Sequence, residues 1–89
     1  MLFEWDEAKH RRNLRERGFG FGFASRIFEN KVIEEPDLRR EYGETRMRAV
    51  GVVNGRFLTV VYTERGAALR IISARSANRK ERRQWLSHE

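Results

Sequence analysis

The side chains of this chain that could act on another molecule are mostly cations, and they crowd one stretch. Arg70, Arg75, Arg79, Lys80, Arg82 and Arg83 follow closely on Tyr62 and Glu64. Arginine's planar fork engages two phosphate oxygens at once and keeps its proton at any ordinary pH, so it stabilises charge on phosphorus but is a poor base. Proton transfer would fall to Tyr62, Glu64 or Lys80. Chemistry of this kind suits metal-free cleavage of RNA, in which the 2′-hydroxyl attacks the adjacent phosphate and no cofactor is needed. Each residue has a plainer reading beside this one: Tyr62 as a tyrosine at the core's edge, Glu64 as a solvated turn residue, and Arg79, Lys80, Arg82 and Arg83 as a solvated helix face. Trp5 and Trp85 read as buried anchors, more than as platforms for stacked bases.

Other chemistries drop out on residue type. The two histidines, His10 and His88, have no partner at helical spacing and no clustered acids, so no metal-ligand set is expected and no Ser-His-Asp constellation can be assembled. Cysteine is absent, which removes thiolate and disulfide chemistry. The glycines of Phe19-Gly20-Phe21-Gly22-Phe23 lack the spacing of a dinucleotide loop, and that stretch reads as apolar packing. Lys+Arg number 19 against 13 Asp+Glu, a net charge of +6, and all but Lys9, Lys31 and Lys80 are arginine. This leans towards nucleic acid or an acidic protein as the partner. The 89 residues suit one small domain, 1–89, with no apolar run approaching the roughly 20 residues that span a bilayer and no signal-peptide order at the start. A cytoplasmic protein without membrane contact is the expectation.

The elements that must position these residues can be read in order. Phe3-Glu4-Trp5 predicts a short edge strand. Asp6 predicts the N-cap of a helix over Glu7–Arg17, with bases towards its end and Gly18 stopping it. Phe23, Ala24, Ile27 and Phe28 form the stripe of a second short helix, whose first turn Gly20 and Gly22 weaken. Lys31–Glu34 predicts a strand stopped by Pro36, and Asp37–Gly43 a polar, mobile connection. From Thr45 a strand runs to Val53, Asn54-Gly55 turns it into a strand from Arg56, and Arg65-Gly66 turns that into Leu69–Ala74. Ser76-Ala77-Asn78 then leads into a cationic helix from Arg79 to Leu86.

Two-residue turns fix a register. Val53 would oppose Arg56, Met47 would oppose Tyr62 and Arg48 would oppose Val61, with Arg70 joining the Arg48/Val61 row and Leu69 the Met47/Tyr62 row. One face then carries Met47, Ala49, Leu58, Val60, Tyr62, Leu69 and Ile71 and should hold the N-terminal helices. The other carries Arg46, Arg48, Thr59, Thr63 and Arg70 among Val50, Val52, Phe57, Val61 and Ile72, a mixture expected of a surface that meets another molecule. On this reading Arg46, Arg48, Arg70, Arg82 and Arg83 are RNA-binding candidates. Arg75, Arg79, Lys80, Glu64 and Tyr62 are the catalytic ones. The same cationic surface would also serve a nucleic-acid-binding module without catalysis, or a domain that docks an acidic peptide.

Several motifs together resemble the BrnT family of type II toxins: Phe3-Glu4-Trp5-Asp6, Asn13-Leu14 with Gly18, the Phe21, Ala24, Phe28 spacing, Tyr42-Gly43-Glu44 with Arg46, the run Val61 to Gly66, and Arg70 to Arg75 followed by Arg79-Lys80-Glu81-Arg82. The resemblance implies a RelE-like α+β fold, N-terminal helices on an antiparallel sheet with a basic C-terminal helix. It implies a ribonuclease that blocks translation, neutralised by a BrnA antitoxin whose ribbon-helix-helix domain binds the operator, so that operator DNA is met only through the antitoxin. It puts function on Arg70, Arg75, Arg79, Lys80 and Arg82, with the Tyr62/Glu64 strand beside them. Phe57, Val61 and Ile72 are the candidates for contact with an acidic amphipathic helix of that antitoxin.

Overall fold

The computed structural model describes residues 1–88. Strand β1, Leu2–Trp5, runs into Asp6, whose side chain accepts from the Lys9 amide at 3.1 Å and so opens helix α1, Glu7–Arg17. Gly18 takes φ 81° and donates its amide to the Leu14 carbonyl, closing the helix as its sequence predicts. The second helix is shorter than a continuous stripe would allow: α2 is Phe21–Ala24, continued by a 3-10 turn over Ser25–Glu29. Strands β2 (Ile33–Pro36), β3 (Met47–Val53), β4 (Arg56–Arg65) and β5 (Ala68–Ser76) follow, then helix α3, Arg79–Ser87. Asn78 and Glu81 form a reciprocal capping box at the start of α3. The connection after β2 is anchored at its start, because buried Asp37 takes the Arg39 guanidinium on both oxygens at 2.8 Å and donates its amide to the Arg46 carbonyl.

The five strands form one sheet in the order β1-β5-β4-β3-β2, so the fold class is α+β. The sheet is mixed, which corrects the antiparallel expectation: β1 lies parallel to β5. A parallel neighbour needs a long crossover, and everything from α1 to β4 supplies it. β1 reaches only as far as Ile71, and beyond it the Arg17 guanidinium donates to the Ala74 carbonyl at 2.7 Å.

The β3–β4 register is the expected one, Met47 opposite Tyr62 and Arg48 opposite Val61, with Asn54 (φ 49°) and Gly55 (φ 78°) making a turn of type I′. The β4–β5 register is not. The turn residues are Gly66 and Ala67, so Arg65 opposes Ala68, Arg70 opposes Thr63 and Ile71 opposes Tyr62. Gly66 at φ 59° suits the first central position of a type II′ turn, whereas a turn of Arg65-Gly66 would need it at the second. A bulge then inserts one residue, and past it Val61 opposes Ser73 and Thr59 opposes Arg75. Its consequence is large, because one extra residue exchanges the faces of everything after it. Arg75 would otherwise share a face with Leu58; with the bulge it shares one with Thr59 and Val61. Ile72 becomes the inserted residue and lines a cleft with Lys9, Arg12 and Arg17 of α1, so it leaves the Val61 row to which the simple register assigned it.

The face turned to the N-terminal helices is the core: Phe19, Phe21, Ala24, Ile27, Ala49, Val53, Leu58, Val60, Tyr62, Ile71 and Ala74 are buried together. The opposite face, expected to be open, is roofed by the chain's own α3. Val50 and Val61 are each 4% exposed, and the Trp85 ring meets Phe57 edge-on at 5.5 Å. Glu81 and Trp85, four residues apart, give this cationic helix an inward stripe. Its far end is tied down by the Lys31 ammonium, which donates to the Trp85 and His88 carbonyls and lies 4.0 Å from the Trp85 ring centre, while the indole N–H donates to the Lys31 carbonyl at 3.0 Å.

Gly20 and Gly22 have different jobs. A Cβ on Gly20 would lie 2.2 Å from His10 Cε1, and that ring cannot easily retreat, since its Nδ1 accepts from the Phe21 amide at 2.9 Å and it stacks on Trp5. A Cβ on Gly22 would meet only Trp5, at an ordinary 3.8 Å. Gly20→Ala should therefore cost about 1–3 kcal/mol through overpacking. Gly22→Ala should stabilise by about 0.5–1 kcal/mol, because alanine is the better helix former. Urea unfolding of the two variants checks the opposite signs; equal effects would contradict this account of Gly20.

Candidate active site

At the joint between β5 and α3, Glu81 stands between Arg75 and Arg48. Asn78 caps α3 and in doing so fixes Glu81 in its first turn, with the Glu81 amide donating to Asn78 Oδ1 at 2.8 Å. The Glu81 side chain turns back to the sheet, where the residue is 5% exposed. There Oε1 accepts from Arg75 Nη1 at 2.8 Å, from the Asn78 amide at 2.8 Å and from Thr59 Oγ1 at 3.0 Å, while Oε2 accepts from Arg75 Nη2 at 2.9 Å. Arg48 Nε stands 3.9 Å from Oε2. Burial alone would raise the pKa of this carboxyl, but the Arg75 fork, the Asn78 amide and the Thr59 hydroxyl outweigh it and pull the value down to about 2.

The candidate cations divide by place. Arg48 and Arg75 meet on Glu81, and Arg48 is also paired with Glu35 across β2–β3. Arg79, Lys80, Arg82 and Arg83 are exposed on α3, and Arg79, Arg82 and Arg83 line a shallow cleft of about 300 Å³ with Ala77 and Leu86. The Arg82 guanidinium lies 4.9 Å from the centre of the half-buried Phe57 ring. Arg70 is elsewhere, paired with Glu4 of the edge strand at 3.2 Å. Arg46 is paired with Glu44 at 2.9 Å and lies over Tyr42 at 4.0 Å.

Tyr62 and Glu64 are not beside the Arg75 cluster. Both belong to the opposite face of β4, where they line a cleft with Glu34, Glu44, Thr45, Met47 and Thr63. The Tyr62 hydroxyl donates to Glu34 Oε1 at 2.5 Å, and burial, then that carboxylate, push the phenol's pKa well above its ordinary value. A phenol that holds its proton so firmly is no base at neutral pH, and three carboxylates around it repel phosphate. The alternation of β4 explains the separation: Tyr62 and Glu64 are in phase with Leu58 and Val60, not with Thr59 and Val61.

Sequence reasoning missed Glu81, Glu35 and Glu34. Glu81 had a readable signal, Asn78 followed three residues later by Glu at a helix start. Glu35 and Glu34 needed the β2–β3 register, which no short turn announces. Among the described residues no three His, Asp or Glu side chains converge as metal ligands, and no helix is long and apolar enough to cross a membrane.

The lowered Glu81 pKa makes a prediction with a definite sign. A carboxyl depressed from 4.5 to about 2 on folding contributes stability above pH 4.5, and that contribution disappears as the pH falls through the folded value. Glu81→Gln should cost about 1.5–3 kcal/mol at pH 7, as expected for lost hydrogen bonds to a charged group. The gap from wild type should close between pH 4.5 and 2. Urea titrations across that range check it; a gap independent of pH would show that the Glu81 charge carries no stability.

Residues 5–81 match the family model of the ribonuclease toxin BrnT of type II toxin-antitoxin systems. No curated protein matches the chain. The match covers most of the chain and ends on Glu81, and the chain belongs to this family.

Proposed function

We propose that this member of the BrnT family, a ribonuclease toxin of a type II toxin-antitoxin system, is a metal-independent endoribonuclease of RelE-like fold that inhibits translation in the cytoplasm. The observation that carries the reading is the cationic joint between β5 and α3: Arg75, braced by a buried carboxylate, stands next to a helix whose exposed residues include Arg79, Lys80, Arg82 and Arg83. In the proposed reaction a ribose 2′-hydroxyl gives its proton to solvent water as its oxygen attacks the adjacent phosphorus, and the bond to the 5′-oxygen breaks. The products are a 2′,3′-cyclic phosphate and a 5′-hydroxyl. Arg75 and Arg79 take the charge that develops on the non-bridging oxygens, and Arg48, Arg82 and Arg83 hold flanking phosphates. Of the three candidate proton carriers, Lys80 alone belongs to the helix on this side of the sheet, and it protonates the leaving oxygen.

The toxin-antitoxin family implies a protein antitoxin. We propose that it is of the BrnA type, carries the operator contact through a ribbon-helix-helix domain, and silences the toxin by pairing acidic side chains with Arg79, Arg82 and Arg83. Phe57 is the apolar contact on the accessible rim, since Val61 lies under α3 and Ile72 sits at the bulge.

The test is to incubate toxin freed of antitoxin with RNA, with and without EDTA. Cleavage is expected in both. Arg79→Ala should lower kcat by about 10²-fold, the scale of losing one oxyanion donor. As an exposed helix residue it should change stability by no more than about 0.5 kcal/mol. RNA that is bound but left intact would make the chain a binding module, and cleavage abolished by EDTA would overturn metal independence.

A further inference from the structure

We propose that Glu81 is a positioning residue for RNA cleavage: its buried carboxylate grips the Arg75 guanidinium by both terminal nitrogens and fixes where the rest of that guanidinium is aimed. The inference rests on the role given to Arg75 under Proposed function. Arg75 has five N–H groups. Two are spent on Glu81, at 2.8 and 2.9 Å, and Nη1 also reaches the Ser76 carbonyl at 3.3 Å. Nε–H and the outer hydrogen of Nη2 have no acceptor among the described residues, on a side chain that is 35% exposed. Those two donors make a second fork, whose geometry fits a pair of phosphate oxygens. A long arginine ordinarily loses rotamer freedom when it binds; here the freedom is already gone in the folded protein.

Stability alone is a poor account of the arrangement. A buried ion pair often contributes no more than well-packed apolar residues of similar volume, and the capping box needs only one Glu81 oxygen and the Asn78 amide. Two independent features instead converge on this contact. The capping box sets Glu81 on the inner side of α3, and the bulge after Ile71 sends Arg75 to the same side of the sheet. Thr59, itself 1% exposed, fixes the carboxylate from below.

The test is a double-mutant cycle on kcat with an oligoribonucleotide, using wild type, Glu81→Gln, Arg75→Ala and the double variant. Glutamine can still accept from the Asn78 amide, so the cap survives while the two-oxygen grip does not. Glu81→Gln should lower kcat by about 10–100-fold, the scale of a small misplacement, with KM little changed. It should cause no further loss in the Arg75→Ala background. Wild-type kcat in Glu81→Gln, or losses that simply multiply, would overturn the proposal and leave Glu81 structural. Should Glu81→Gln fail to fold, Thr59→Val replaces it in the same cycle, with a smaller drop of about 3–10-fold that again disappears with Arg75→Ala; an unchanged rate overturns the proposal. Failure of the underlying reading looks different, since Arg75→Ala alone would then cleave at the wild-type rate, or wild type would leave RNA uncut.

Discussion

A carboxylate taken out of water needs every lone pair satisfied, and the Glu81 group obtains its donors from three separate elements: β4 through Thr59, β5 through Arg75 and the start of α3 through Asn78. Removing any of these leaves charge in a site with little water, which is what makes the arrangement restrictive. The position of α3 on the sheet, the direction of Arg75 and the burial of Val50 and Val61 beneath the helix all depend on it. The tie of Lys31 to Trp85 holds the other end of α3, but with weaker, more exposed contacts. A helix with so many like charges would otherwise have reason to stay in solvent.

The constraint reaches back into the sheet. Strand β5 begins at a type II′ turn and leaves that register after Ile71, and the inserted residue exchanges the two faces for the rest of the strand. Before the bulge the sheet is ordinary, with Ile71 and Tyr62 in the core beneath the aromatic layer from α2. After it, Ala74 closes the core and Arg75 emerges on the α3 side. One backbone irregularity therefore separates the packing half of β5 from the half that presents the cation. The N-terminal layer is independent of this: Trp5, His10 and Phe21 pack around Gly20 on the far side of the sheet.

Much of this was legible in the residues, for identifiable reasons. α1 announced both its ends through Asp6 and Gly18, and Asn54-Gly55 fixed the β3–β4 register to the residue. The β4–β5 turn was misread by one position because Gly66 can serve at either central position, and only the type of turn decides which. The bulge has no local signature in the residues around Ile72. The roof over the second face was hidden by counting the cations of α3: Trp85 reads as a buried anchor by itself, but only together with Glu81, four residues before it, does it mark an inner stripe. The catalytic grouping suffered most, because Tyr62 and Glu64 are near Arg70 in sequence while strand alternation sends them through the sheet. Family membership was readable from the joint occurrence of weak motifs along the chain, and residues 5–81 match the family.

The reaction proposed for this toxin has arginines stabilising attack by the RNA's own 2′-oxygen. It is tested most directly by the ends of the products when the purified toxin cuts a defined oligoribonucleotide. A 2′,3′-cyclic phosphate, or the 3′-phosphate formed by its opening, is expected facing a 5′-hydroxyl, with cutting blocked by a single 2′-deoxy substitution at the cleaved position. Products with a 3′-hydroxyl and a 5′-phosphate, or undiminished cutting of the deoxy-substituted strand, would contradict it.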